Sequence, residues 1–247
     1  PDPDPDPDPD PDPDSDPDPM TTPAPFQRAR DPEQKEQRRQ ELLAAARRLL
    51  ASGGIPAVGL SAIAREAGLA KSNVYRYFGS REEILLELLA DDAMQWLIEL
   101  EQAIARPELR GDAYAVAELL ARTIAAHPLT CELISIVAGV LEHNLTIEAA
   151  ERFKARMLEL STRVRGALHG ALPAIPHDRV TAAVRYLHGL IAGLWPMAHP
   201  GEQMRGVLAR DAYAPLRCDF EADLRMSLRP LLLGLCHAGP LVVPVVE

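Results

Sequence analysis

Eight side chains between positions 71 and 81 have types and spacing suited to gripping a nucleic acid: Lys71, Ser72, Asn73, Tyr75, Arg76, Tyr77, Ser80 and Arg81. Arginine can bond guanine, and asparagine adenine, at two points each. Arg76 and Asn73, with Ser72, are therefore the candidates for reading base edges. Lys71 and Arg81 flank the stretch and suit phosphates. Tyr75 and Tyr77 carry hydroxyls on rigid rings, fit for phosphate oxygens or a thymine methyl. Ser80 and the first amides of the helix it opens offer another phosphate seat. Each residue also has a plainer reading. Arg76 alone is a solvated charge on an exposed face, Tyr75 can be half core, and Val74 and Phe78, four apart, are core.

Two short helices and a turn must hold these groups. Ser61 is placed to cap a helix whose inward residues are Ile63, Ala64 and Ala67. Gly68 supplies the turn, where positive φ is cheap for glycine, and Leu69 packs inward. A second helix is expected over about 71–78, ended by Gly79. Ser80, with Glu83 three residues on, has capping-box spacing and opens a long helix towards Ala105. Such a layout places its second helix in the major groove of DNA. Before it, a helix is expected from about Asp31, a plausible N-cap beside Pro32, to Ala51. Leu42, Leu43, Ala46, Leu49 and Leu50 lie on one face, and Gly53-Gly54 stops it. Arg28, Arg30, Arg38 and Arg39 precede it or line its polar side.

The stretch SAIAREAGLAKSNVYRYFGSREEIL resembles the tetracycline-repressor (TetR/AcrR-like) family of bacterial regulators. The shared features are a short apolar helix, an Ala-Gly turn, a small polar pair, Tyr-x-Tyr-Phe, and a capped helix starting with Arg-Glu-Glu. The match covers about Gln37 to Leu89; beyond it only the all-α character agrees. The resemblance implies a homodimer with an N-terminal three-helix DNA-binding head. Behind it stands a helical body that holds a ligand and the dimer interface. It implies a repressor released from a palindromic operator by its effector, with an activator or a helical interaction protein without specific DNA binding as alternatives.

Charge supports the head without the name. The net charge of −10 looks wrong for a DNA binder. Yet Asp occupies every even position from 2 to 18, while residues 26–81 hold eleven Lys or Arg against five Asp or Glu. Only this region is basic, as a phosphate footprint requires. The Pro-Asp repeat lacks backbone donors and repels itself, so 1–25 reads as a disordered tail. The head is expected over 26–82, the body over 83–238 and a short tail over 239–247.

The body reads as further helices over about 112–126, 130–143, 147–172, 177–197 and 220–235, with 201–217 as loop. Pro230 is expected to kink the last helix. Ala182, Tyr186, Gly189 and Gly193 form a small-residue stripe beside a separate apolar one. Leu224, Leu228 and Leu231 stripe the last helix. Two such helices suit a four-helix interface across a two-fold axis. Trp96, His143, Asn144, Phe153, Met157, His188, Trp195 and Met197 are the candidates for a ligand site, which few charges along the inner stripes mark as largely apolar.

Other chemistries lack support. The seven histidines are scattered, with no HExxH, nucleophile motif or glycine-rich phosphate loop, which argues against an enzyme. Cys131, Cys218 and Cys236 are widely spaced without CxxC, so neither a disulfide framework nor a metal site is expected. No cofactor and no membrane segment is called for, and a reducing cytoplasm is the default.

Overall fold

The computed structural model describes residues 32–237. The Pro-Asp repeat, Arg28, Arg30, the Asp31 cap and the 239–247 tail lie outside the described residues. The chain divides into Pro1–Arg38 and Arg39–Glu247. The described part of the first is the opening turns of helix α1; the second holds the rest of α1 and every later element.

All regular structure among the described residues is helical. The order is α1 (Pro32–Ala57), α2 (Leu60–Glu66), α3 (Lys71–Val74), α4 (Arg81–Ile104), α5 (Ala113–Ala125), α6 (Pro128–Ile136), α7 (Ile147–Ala171), α8 (His177–Ala198), α9 (Glu202–Leu208) and α10 (Phe220–His237). Three short 3-10 helices cover Pro107–Leu109, Leu141–Asn144 and Asp211–Leu216.

Short polar side chains start several helices by satisfying free amides. The Ser80 hydroxyl accepts from the Glu83 amide at 3.1 Å, and Asp112 accepts from the amides of Tyr114 and Ala115 at 2.9 Å each. Thr146 accepts from the Ala149 amide at 3.2 Å. The start of α6 has Pro128 and no local cap. A carboxylate from α4 serves instead: Asp92 accepts from the Thr130 amide at 3.1 Å and its hydroxyl at 2.7 Å.

Four sequence expectations change. The break at Gly54 is where expected, at φ 65°, but helix resumes after it to Ala57. Ser61 is not a cap, because α2 starts one residue earlier, after an extended Gly59. The helix expected over 130–143 ends at Ile136, and turns lead into the 3-10 segment. The 201–217 loop contains α9 and a 3-10 helix.

Two apolar clusters form the interior. One joins α4, α5, α8 and α10 through Trp96, Leu120, Leu187, Ile191 and Leu228. The other gathers Leu42, Ile63, Val74, Phe78 and Leu85 of the first four helices, but also Leu133, Val137, Leu141 and Phe153 from later ones. The head is thus completed by α6, α7 and the 3-10 segment between them.

Helices α4 and α7 run side by side in the same direction, since contacts along both advance together. Arg152 pairs with Glu83 at 2.7 Å, Arg156 with Glu87 at 2.8 Å and Asp91 at 2.7 Å, and Arg163 with Glu101 at 2.6 Å. Glu87 also takes Arg39 at 2.5 Å, and Asp91 takes Arg47 at 2.6 Å. Five side chains therefore tie α1 to α7 across α4.

Candidate nucleic-acid interface

The turn between α2 and α3 is built on Gly68, whose φ of 67° is the left-handed conformation that costs a side-chain-bearing residue energy. The Leu69 amide donates to the Ala64 carbonyl at 2.8 Å, folding the chain back on α2. Regular helix covers only Lys71–Val74, shorter than the 71–78 span expected. The Arg76 and Tyr77 amides then bond three residues back, to Asn73 and Val74, at 3.3 and 3.0 Å. This tighter winding carries the chain to Gly79. Val74 and Phe78 are buried and anchor the segment from below.

Above these anchors Lys71, Ser72, Tyr75 and Arg76 are exposed, and Asn73 is half-buried. Tyr75 is 51% exposed, so half of its side chain faces solvent. The Lys71 ammonium lies 5.8 Å from the centre of its ring. Arg76 has no hydrogen-bond or ion-pair partner among the described residues.

Three candidates have other work. The Arg81 guanidinium donates to the Ile55 carbonyl at 2.5 Å, tying the start of α4 to the end of α1. Part of its hydrogen-bonding capacity is thus spent inside the head. The Tyr77 ring is half-buried against the head cluster. Ser80 is occupied as a cap, and below it the Glu83 carboxylate accepts from the Gly79 amide at 2.7 Å.

The basic excess is likewise divided. Arg39 and Arg47 face α4, and Arg48 pairs with Glu66 at 2.7 Å. Arg65, at the last turn of α2, is exposed and without a partner among the described residues. It joins Lys71 and Arg76 as a free cation around the turn. The sequence reading missed it; its place one turn before Gly68 was the available signal.

The body candidates do not converge. Trp96 is buried in the body cluster, its indole donating to the Thr123 hydroxyl at 3.2 Å. Trp195 lies in that cluster, stacked on His199 at 3.8 Å between ring centres. Phe153 and Met157 pack instead in the head cluster, because the apolar face of α7 at that level turns towards α4's start. His143, Asn144 and Met197 are exposed. His188 also keeps a solvent-facing side. Even so, the atoms packed around its ring, and then the Lys154 ammonium, hold its pKa below the ordinary histidine value.

The proposed interface stripe also divides. Tyr186 is 48% exposed, Gly189 and Gly193 are exposed, and Ala182 and Leu231 are half-buried. Leu224 and Leu228 are fully buried in the chain's own core, so they have no surface to offer a partner. Their places on the outer face of α10 fall to residues such as Met226, 60% exposed.

Among the described residues no group of three or more His, Cys, Asp or Glu side chains is placed to hold a metal, and no single helix is long and apolar enough to cross a membrane. Burial, and then the charge of Asp92, pushes the Cys131 thiol up to about 12. A thiol so protonated is a poor nucleophile.

Known proteins share this architecture. Residues 42–88 match the model described as bacterial regulatory proteins, tetR family, and residues 90–238 match the model described as tetracyclin repressor-like, C-terminal domain. The fatty acid metabolism regulator protein of Bacillus subtilis (strain 168) is 29% identical over 140 residues, which are 57% of this chain and 65% of that protein. The chain therefore spans just under two thirds of that relative's length. Among solved structures, a putative TetR-family regulator from Syntrophomonas wolfei superposes with a TM-score of 0.51 at 18% identity, covering 84% of this chain and 98% of that one. Thermus thermophilus FadR, a TetR family transcriptional repressor solved with lauroyl-CoA, also gives 0.51, at 17% identity, covering 83% and 98%. These two likenesses concern the fold. With family models covering both the head and the body, the chain belongs to the tetR family of bacterial regulatory proteins and is a DNA-binding transcriptional regulator.

Proposed function

We propose that this regulator acts as a homodimer that represses from a palindromic operator and is released by a largely apolar small-molecule effector. The head, 26–82, grips DNA and the body, 83–238, senses. Arg76, Ser72 and Asn73 read base edges, while Lys71, Tyr75 and Arg65 hold phosphates. The observation that carries this reading is the set of exposed cations around the Gly68 turn, Arg65, Lys71 and Arg76, beside Arg39, Arg47, Arg48 and Arg81, which have partners within the chain. A cation without an internal partner, raised on a segment anchored by Val74 and Phe78, is available to an external anion at no cost in broken ion pairs.

The dimer is assigned to the outer faces of α8 and α10 through Tyr186, Gly189, Gly193, Leu231 and Met226. Two-fold symmetry then sets two heads on two half-sites. The effector is assigned to the apolar body around Trp96 and Trp195. The name of the B. subtilis relative supports an effector from fatty acid metabolism, a long-chain acyl compound being the class to screen first.

The test is a gel-shift titration against the chain's own upstream DNA at two salt concentrations, with wild type and Arg76→Ala. A discrete complex that resists competitor DNA, weakens with salt and is lost in the variant supports the reading. Equal binding by the variant removes Arg76 from the interface.

A further inference from the structure

A groove of about 580 Å³ lies between the C-terminal ends of α4 and α7. Helix α4 leaves the head at Arg81 and is 24 residues long, so this end lies about 36 Å from its start. Cations there cannot belong to the footprint of the head on DNA. Three arginines line the groove, Arg106, Arg110 and Arg163, against one acidic residue, Glu101. The pair is already matched: Arg163 donates to the two Glu101 oxygens at 3.0 and 2.6 Å. Arg106 and Arg110 have no hydrogen-bond or ion-pair partner among the described residues. They flank the 3-10 turn Pro107–Leu109, on extended backbone at both ends, so both side chains leave one short rigid segment. The turn is pinned to α7 where the Gly111 amide donates to the Ala171 carbonyl at 2.7 Å.

Two helix ends at the groove contribute partial negative charge, roughly half a unit each at most. That offsets part of the charge of the two unpaired arginines, as does Glu108 between them in the turn. The remaining lining of the groove is apolar or small, including Ile104, Pro107, Ala167 and Gly170. A side chain begun at Gly170 would meet nothing within 4 Å, so the space above α7 is open.

We infer that this groove is a second ligand site, separate from the DNA face, for an organic phosphate. Arg106 and Arg110 grip the phosphate and the attached apolar group lies against Ile104, Pro107 and Ala167. Guanidinium forks match phosphate oxygens in pairs, and such charge-assisted bonds are the strong ones. The inference does not depend on which effector or operator the protein uses.

The test is isothermal titration of the full chain with octyl phosphate, with octanol and inorganic phosphate as separate probes. Two variants accompany it. Arg106→Ala/Arg110→Ala removes exposed, unpaired charges and leaves the core untouched. Gly170→Leu fills the groove without changing its charge. Octyl phosphate is expected to bind saturably to wild type and about tenfold more weakly to the double variant, the loss of charge-assisted bonds. It is expected to bind more weakly to Gly170→Leu as well, with both variants melting as wild type does. Octanol and inorganic phosphate, each lacking one half of the recognised group, are expected to bind more weakly than octyl phosphate. No saturable binding of octyl phosphate at millimolar concentration, or equal affinity in wild type and the double variant, overturns the site. Equal affinity for octanol shows an apolar crevice in which the arginines play no part, and overturns it too.

Discussion

The two sides of the head use similar residues for opposite purposes. On the inward side Arg39, Arg47 and, from α7, Arg156 meet Glu87 and Asp91, and the Phe153 ring is buried among Leu85, Val137 and Leu141 in the head cluster. On the outward side Arg65, Lys71 and Arg76 meet solvent, and Tyr75 stands half clear of the surface. A basic count therefore says little about where a head binds. What separates the sides is whether each cation has an internal carboxylate. The inward contacts also bind the head to α7 through both charge and packing.

The largest effect should come from breaking the inward side. Phe153 is 6% exposed, and its loss removes a ring from a close-packed cluster. Truncation of buried aromatics costs about 3–5 kcal/mol. Phe153→Ala should lower the melting temperature by about 10 °C, taking roughly 2–4 °C per kcal/mol for a chain of this size. A shift below about 2 °C, less than a single kcal/mol on that scale, would show that α7 does not complete the head's core.

Breaking the outward side should do the reverse. Arg76→Ala should leave melting unchanged and weaken specific DNA binding by about 1–3 kcal/mol, the usual worth of one bidentate base contact. Arg65→Ala should weaken specific and non-specific DNA alike and lower the salt slope by about one, as a phosphate contact does. If Arg65→Ala instead changes only the base preference, the two arginines have exchanged roles.

Arg156→Ala sharpens the comparison at smaller scale. Its guanidinium is 33% exposed and its two carboxylates keep Arg39 and Arg47. Solvent-screened pairs are worth about 0–1 kcal/mol, so thermal melting should fall by only a few degrees. The more telling readout is the response of DNA binding to effector, which should weaken because α7 and the head are less firmly joined. Unchanged coupling would assign the transmission to Phe153 and its neighbours alone.

Local signals carried the head. Ser80 with Glu83, glycines at 54 and 68, and Val74 with Phe78 each act within a few residues, and each is where the pattern put it. Some local readings shifted, as at Ser61 and the end of α3, and contacts with distant partners gave no sequence signal. Arg81 reads as a phosphate cation, and nothing in its sequence neighbourhood shows its bond to the Ile55 carbonyl, 26 residues away. Asp92 gives no sign in sequence that it caps α6 through Thr130, 38 residues on. Phe153 and Trp195 both fit an apolar stripe, and periodicity cannot say that one stripe faces the head and the other α10. Leu224 and Leu228 looked like interface for the same reason: a stripe shows that a face is covered, not by which molecule.

The smallest effect concerns His188, at the opposite extreme from the paired arginines because its neighbours oppose its charge. Packing around the ring, and then Lys154, lower its pKa from 6.5, while Glu142, itself bonded to Lys154, pulls weakly the other way. The folded protein therefore binds fewer protons there than the unfolded chain as pH falls through 6.5. A state that binds fewer protons loses ground as they become abundant, so the stability His188 supports is full above its unfolded pKa and declines below it. Wild type should melt progressively lower between pH 7 and pH 5.5, and His188→Gln, which cannot titrate, should show a flatter profile over that window. Parallel profiles for the two proteins would mean that other groups set the slope. A steeper profile in the variant would mean that His188 gains a proton on folding, with Glu142 rather than Lys154 as its dominant neighbour.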